Sequence, residues 1–198
     1  SKPRDYQKIK YEIQNSYLRS NINDENMNYA YSLSRLLRIK KKSFIQSMNS
    51  FIGLSHRYEI IFKKKNTIFI NDSKATSFQA TKIALANSKN VHWIVGGLPK
   101  KNDKIDLRYV KKNIVKSYII GKNVNFFKKQ LKNKVKFSVE KNLKNAVAKA
   151  VEDIKLFKKK YSTILLSPSA ASFDQFKNFE IRGNEFKKLS KLYARKIN

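Results

Sequence analysis

The chain has no cysteine, which excludes a disulfide scaffold, a thiolate metal centre and a cysteine nucleophile. Glycine (5) and proline (3) are scarce, so neither a collagen-like repeat nor a Gly/Ser linker protein is possible. No apolar run approaches the ~20 residues that span a bilayer, and the opening Ser1-Lys-Pro-Arg-Asp has no apolar segment to act as a signal peptide. A soluble, cytoplasmic protein without a membrane partner is the expectation. Also missing is a Gly-x-x-x-x-Gly-Lys-Ser/Thr loop, the usual cradle for ATP phosphates. The two histidines, His56 and His92, offer no metal-ligand spacing, and no Ser-His-Asp pattern is present. His92, inside an apolar run, reads as a core or edge residue.

Acidic residues are also few, 14 against 44 Lys+Arg, for a formal net charge of +30. Such a charge makes a polyanion-binding module the first hypothesis. Its composition argues otherwise, because 36 of the cations are Lys and only 8 are Arg, the planar fork that phosphate and base readers favour. The clusters Lys40 to Lys42, Lys63 to Lys65 and Lys158 to Lys160 are scattered along a chain also rich in Asn and Ile. Solvated lysine faces, with no specific nucleic acid, are expected.

At 198 residues the chain can bury roughly 70% of its unfolded surface, enough for one full core and a remainder. Residues 8 to 18 alternate with Ile9, Tyr11 and Ile13 on one face, predicting a strand. Met27, Ala30, Leu33 and Leu37 mark a helix that Asn23 or Asp24 could cap, and a short helix over Ser43 to Phe51 precedes Gly53. Beyond Gly53 the pattern becomes regular. Tyr58 to Lys65 and Thr67 to Asn71 read as strands joined by a tight turn, followed by a helix from Ser77 to Asn87. Apolar runs at Val91 to Val95, Ser117 to Ile120 and Thr163 to Leu166 read as buried strands, with a weaker one at Val135 to Val139. Helical spacing runs from Leu143 to Phe157 and recurs at Phe186, Leu189 and Leu192. The fold class is α/β: a Rossmann-like, mainly parallel sheet with helices on both faces, preceded by a strand-helix-helix segment.

In that architecture ligands gather beyond the carboxyl ends of the strands. Three polar strings fall there: Asn71-Asp-Ser-Lys-Ala-Thr76, Gly96-Gly-Leu-Pro-Lys100 and Ser167-Pro-Ser-Ala-Ala-Ser172. The first sets a carboxylate, a cation and a hydroxyl at a helix entry, either as an anion site or with Ser73 or Thr76 as a plain cap. Small residues in the third let backbone approach a ligand closely.

These strings carry a resemblance. Leu166-Ser-Pro-Ser-Ala-Ala-Ser-Phe-Asp-Gln-Phe-Lys-Asn-Phe-Glu-Ile-Arg-Gly-Asn-Glu-Phe186 closely resembles the C-terminal signature of the D-glutamate-adding members of the Mur ligase family. Asn71 to Thr76 resembles their second C-terminal motif, and Gly53-Leu-Ser-His-Arg57 their domain junction, although Ser55 stands where they have Pro. The resemblance implies that residues 1–52 are the C-terminal end of a central ATP-binding domain and 53–198 the amino-acid-binding domain. It implies an ATP-dependent ligase that joins D-glutamate to UDP-N-acetylmuramoyl-L-alanine through an acyl phosphate, using ATP and Mg2+ and acting as a monomer. On this chain Lys74, Thr76, Lys100, Ser172 and Phe179 would hold D-glutamate, while Arg57, Asp72 and Asn26 would meet ATP. Ile22 stands where the family has His ahead of Asn23, and Leu98-Pro99 where many members have Asp-Gly. The missing phosphate loop would then belong to a part of the ligase outside this sequence, leaving the fragment inactive alone. Two alternatives are a basic nucleic-acid-binding module and a relative specific for another amino acid.

Overall fold

A computed structural model describes residues 5–15, 17–20, 23–156 and 161–197. Ile22, Phe157 and the Lys158 to Lys160 cluster lie outside them. The chain divides into two compact units, Ser1–Leu54 and Ser55–Asn198.

Among the described residues of the first unit, the strand expected over residues 8 to 18 does not form. Short 3-10 turns occupy Tyr6–Lys8 and Lys10–Glu12 instead. Ile9 and Ile13 are buried while Tyr11, between them, is 83% exposed. Two apolar residues four apart satisfy a helical turn as well as a strand, and the intervening residue decides which. Helices α1 (Asp24–Leu36) and α2 (Lys41–Ser50) follow. Helix α1 buries Met27, Tyr31 and Ser34, whereas Leu33 and Leu37 of the expected stripe are 56% and 64% exposed. No side chain caps it; the Asn23 amide donates to the carbonyl of Tyr17 instead.

The second unit contains a six-stranded sheet ordered β1-β2-β6-β3-β4-β5. Its strands are β1 (Glu59–Lys64), β2 (Thr67–Asn71), β3 (Val91–Gly96), β4 (Ile114–Ile120), β5 (Phe137–Val139) and β6 (Ser162–Leu166). Only β1 is antiparallel to its neighbour. The helices are α3 (Phe78–Ala86), α4 (Val124–Leu131), α5 (Leu143–Leu156) and α6 (Phe179–Ala194). Helix α4 is an addition to the elements read from sequence. The central strands β3 and β6 are buried throughout, as continuous apolar runs require.

Strand alternation sorts side chains onto two covered faces. Phe69, Ile94, Tyr118 and Ile164 pack with Val147 and Val151 of α5 and Phe186 and Leu189 of α6. Ile70, Trp93, Ile119 and Leu165 pack with Phe78 and Leu85 of α3 and Phe127 and Leu131 of α4. Each such side chain is worth roughly 1.5–3 kcal/mol of transfer free energy when fully buried. Leu192, expected on the inner face of α6, is 51% exposed. His92 is fully buried, and its Nδ1 lies 2.7 Å from the Tyr118 hydroxyl. Among the described residues no helix is long and apolar enough to cross a membrane.

Candidate functional site

Strand β6 lies between β2 and β3, and the chain leaves its carboxyl end toward α6 on one face of the sheet. From β2 the chain departs toward α3, and from β3 toward Ile105, Leu107 and Val110, all on the other face. Connections that part in this way open a crevice at the strand ends. Backbone bonds lace its floor: Asp72 N donates to Leu166 O (2.8 Å), Gly96 N to Pro168 O (3.0 Å) and Leu98 N to Ala171 O (2.8 Å). Gly97, at φ 137°, could not carry a Cβ, which would collide with the Ala171 carbonyl.

Asp72 sits under this floor, 8% exposed. One carboxylate oxygen accepts from the Tyr58 N–H (3.1 Å) and the other from the Ser167 hydroxyl (2.7 Å). Burial pushes its carboxyl up to about 6, against the opposing pull of those hydrogen bonds and the Arg57 charge. The Ser167 carbonyl accepts from the Trp93 indole N–H (2.7 Å). A pinned carboxylate thus orients the segment that carries Arg57 against the end of β2.

Arg182 is the least expected member of the site. It is 1% exposed, and its guanidinium donates to the Ser73 hydroxyl (3.0 Å), the Ser73 carbonyl (2.8 Å) and the Ala170 carbonyl (3.1 Å). Burial lowers its pKa to about 10, which leaves it charged at neutral pH. Its hydrogen-bond acceptors are neutral dipoles, and the Asp174 carboxylate adds a favourable charge from further off. The planar fork joins the loop after β2 to the loop after β6, which a lysine point charge could not do. Ser73 continues the link, its hydroxyl donating to the Phe179 carbonyl (2.8 Å). The adjacent Lys74 ammonium lies 3.9 Å from the centre of the Phe179 ring.

The junction loop closes the same corner. His56 Nδ1 is 2.9 Å from the Asn71 amide, and its ring meets Phe179 edge-on at 5.9 Å. Burial and the nearby Lys187 ammonium lower its pKa. Gly183 on α6 leaves room for this imidazole, since a Cβ there would collide with Nδ1.

Lys74, Phe179, Asp72 and Arg57 are therefore gathered at one corner. Ser172 is buried in the loop that pairs with Leu98, two residues before the exposed Lys100. Thr76 is half-buried at the approach to α3. The helix cap there is neither Ser73 nor Thr76 but Ser77, which accepts from the Ala80 N–H (3.3 Å). Asn26 is exposed on the first turn of α1, in the other unit. Among the described residues no three His, Asp or Glu side chains come together as metal ligands.

Comparison with known proteins bears on this constellation. The chain is 40% identical over 83% of its length to a protein of Wolbachia sp. subsp. Brugia malayi named UDP-N-acetylmuramoylalanine--D-glutamate ligase. It is 37% identical over 85% of its length to the ligase so named from Rhizobium meliloti, and 35% identical over 92% to that from Rickettsia felis. The family likeness expected from the motifs is established. The chain spans 33%, 36% and 41% of these D-glutamate ligases respectively, so the likeness is to a section of them. No protein-family model matches the chain. A murein peptide ligase from Psychrobacter arcticus aligns with 84% of this chain and 37% of its own, at 10% identity and a TM-score of 0.43. The fold therefore stands on the sheet order and the two covered faces.

Proposed function

We propose that this chain is the amino-acid-binding part of a ligase that joins D-glutamate to UDP-N-acetylmuramoyl-L-alanine in peptidoglycan precursor synthesis. In this reading residues 53–198 hold D-glutamate, residues 1–52 end the ATP-binding domain, and the enzyme acts in the cytoplasm as a monomer. The observation that carries it is the Arg182 fork at the strand ends of a chain similar to such ligases, which ties Ser73, beside Lys74 and Phe179, to Ala170 in the loop that also carries Ser172.

The chemistry joins a carboxylate to an amine. The substrate carboxylate attacks the γ-phosphorus of ATP, ADP leaves, and an acyl phosphate forms. The D-glutamate amine then adds to the acyl carbon, loses a proton, and the tetrahedral intermediate expels inorganic phosphate to give the amide. Such a step asks the protein to fix a dicarboxylate so that its amine points at the acyl carbon. Lys74 and Lys100 supply positive charge for the carboxylates, Thr76 and Ser172 supply hydroxyl donors, and the Phe179 backbone closes the far side. Phe179 holds the Lys74 ammonium at its ring face, which limits where that charge can sit. In this reading Arg57 meets the ATP phosphates, and Asp72, whose two oxygens hold the Tyr58 N–H and the Ser167 hydroxyl, acts on the ribose side by setting the segment that carries Arg57; Asn26 is proposed for the adenine on the resemblance alone. In this reading most phosphate and Mg2+ contacts belong to the rest of the ligase.

A chimera tests this. Replacing the matching section of the Rickettsia felis ligase with this chain should preserve phosphate release that depends on D-glutamate. Lys74→Ala or Ser172→Ala in the chimera should then raise the D-glutamate KM or lower kcat by at least about tenfold, roughly the loss of one charge-assisted hydrogen bond. The KM for the UDP substrate should stay within about twofold. Unchanged kinetics would sink the site, and preference for L-glutamate or L-alanine would sink the specificity. The chain alone should release no phosphate.

A further inference from the structure

Six of the exposed lysines share one edge of the sheet. Parallel strands start at one edge of the sheet, opposite the candidate site, and lysines precede them there. Lys65 lies in the β1–β2 turn, Lys89 ahead of β3, Lys111 and Lys112 ahead of β4, and Lys134 and Lys136 ahead of β5. All six are exposed, and none forms an ion pair among the described residues.

The same edge lacks negative charge. Segments 65–66, 87–90, 107–113 and 132–136 contain no Asp or Glu. Asp106, next to the third of these segments, is already engaged by Arg108 and Lys82, and Asp153 of α5 by Lys116 and Lys149. At the carboxyl edge, in contrast, Asp72, Glu140 and Asp174 are interspersed with the lysines. Compensation of helix dipoles accounts for cations near the ends of α3 and α4. It does not account for Lys65, Lys111 or Lys112, which follow no α-helix.

The edge is a line, not a disc. Six strands at ~4.8 Å spacing make a row about 24 Å long and one sheet thick. Beside it Tyr109 is 72% exposed, with Lys82 and Arg108 at 5.7 Å and 5.9 Å from its ring. A row of cations, with an exposed aromatic ring already drawn toward two further cations beside it, suits a flexible chain of phosphates. A bilayer would call for a plane of cations. Lysine ammoniums attract the phosphate backbone as point charges and carry no base readout.

We propose that the amino edge of the sheet is an electrostatic track for single-stranded nucleic acid, bound through its phosphates without sequence preference. Fluorescence anisotropy of a labelled oligouridylate of about 12 nucleotides, titrated with the 198-residue chain from about 50 to 200 mM salt, tests it. A quadruple variant, Lys111→Ser, Lys112→Ser, Lys134→Ser and Lys136→Ser, should weaken binding at least about tenfold and flatten the log K against log salt slope by roughly 2 to 3. The control carries Lys101→Ser, Lys122→Ser, Lys141→Ser and Lys144→Ser, which removes the same charge from the opposite edge. It should stay within about twofold of the parent, with matching circular dichroism for all three proteins. Equal losses in the two variants would assign the attraction to net charge and overturn the track. So would no binding by the parent, or binding only to phosphatidylglycerol vesicles, which would make the edge a membrane surface.

Discussion

Arg182 shows why a residue can be essential to a site and invisible in its sequence. Among 44 cations nothing in the string sets it apart from a solvated one; burial and three neutral acceptors do. Replacing it by Met should leave the Ser73 and Ala170 carbonyls without donors, at roughly 1–3 kcal/mol each. Urea unfolding should register the loss, and in the chimera D-glutamate KM should rise more than kcat falls. Asp72 makes a prediction of opposite sign. Burial pushes its folded carboxyl up to about 6, above the ordinary aspartate value of 3.8, so the stability linked to its proton is complete below pH ~4 and is lost as pH rises through about 6. Asp72→Asn should therefore gain on the parent as pH rises from 4 to 7, approaching about 3 kcal/mol at most. A parent-minus-variant difference that is flat with pH would contradict this. His92 runs the other way: burial lowers it to about 4, so its contribution is present above pH 6.5 and disappears as pH falls toward 4. The register of Lys74, Thr76 and Ser172 at the strand ends was legible because flanking strings fix it, whereas the contacts of Arg182 depended on a fold not yet in view.

At the scale of elements, what the sequence conveyed depended on burial. β2, β3, β6 and α5 were legible because each is bounded by turn residues and its apolar positions share one environment. α4 was missed because eight residues with two buried positions, Phe127 and Leu131, give too short a period to recognise. The N-terminal turns were misread because Tyr11 looks like core and is not. Two junctions can be tested directly. Ser77 caps α3 and Asn178 caps α6, whose side chain accepts from the Ile181 N–H at 2.8 Å; either one changed to Ala should cost about 1 kcal/mol. Gly183→Ala should cost more, because its new methyl meets His56, and His56→Ala should recover part of the loss. A double-mutant cycle measured by thermal melts would read that coupling, and strictly additive effects would refute the contact.

For the whole molecule, +30 is a self-repelling charge. Raising salt from about 20 to 300 mM should screen it and raise Tm, since unpaired lysines outnumber the ion pairs that salt would weaken. A falling Tm would mean that those pairs dominate. The sheet order has its own consequence for how the chain is made. Strand β6 is the last to be synthesised yet lies between β2 and β3, so until Leu166 leaves the ribosome the sheet is two unjoined pieces. One is the β1–β2 hairpin and the other the β3-β4-β5 ribbon, each presenting an unpaired apolar edge. A nascent chain that stalls before Leu166 therefore holds two halves that can pair with a neighbouring chain, and chaperone demand should peak there and fall once β6 is inserted.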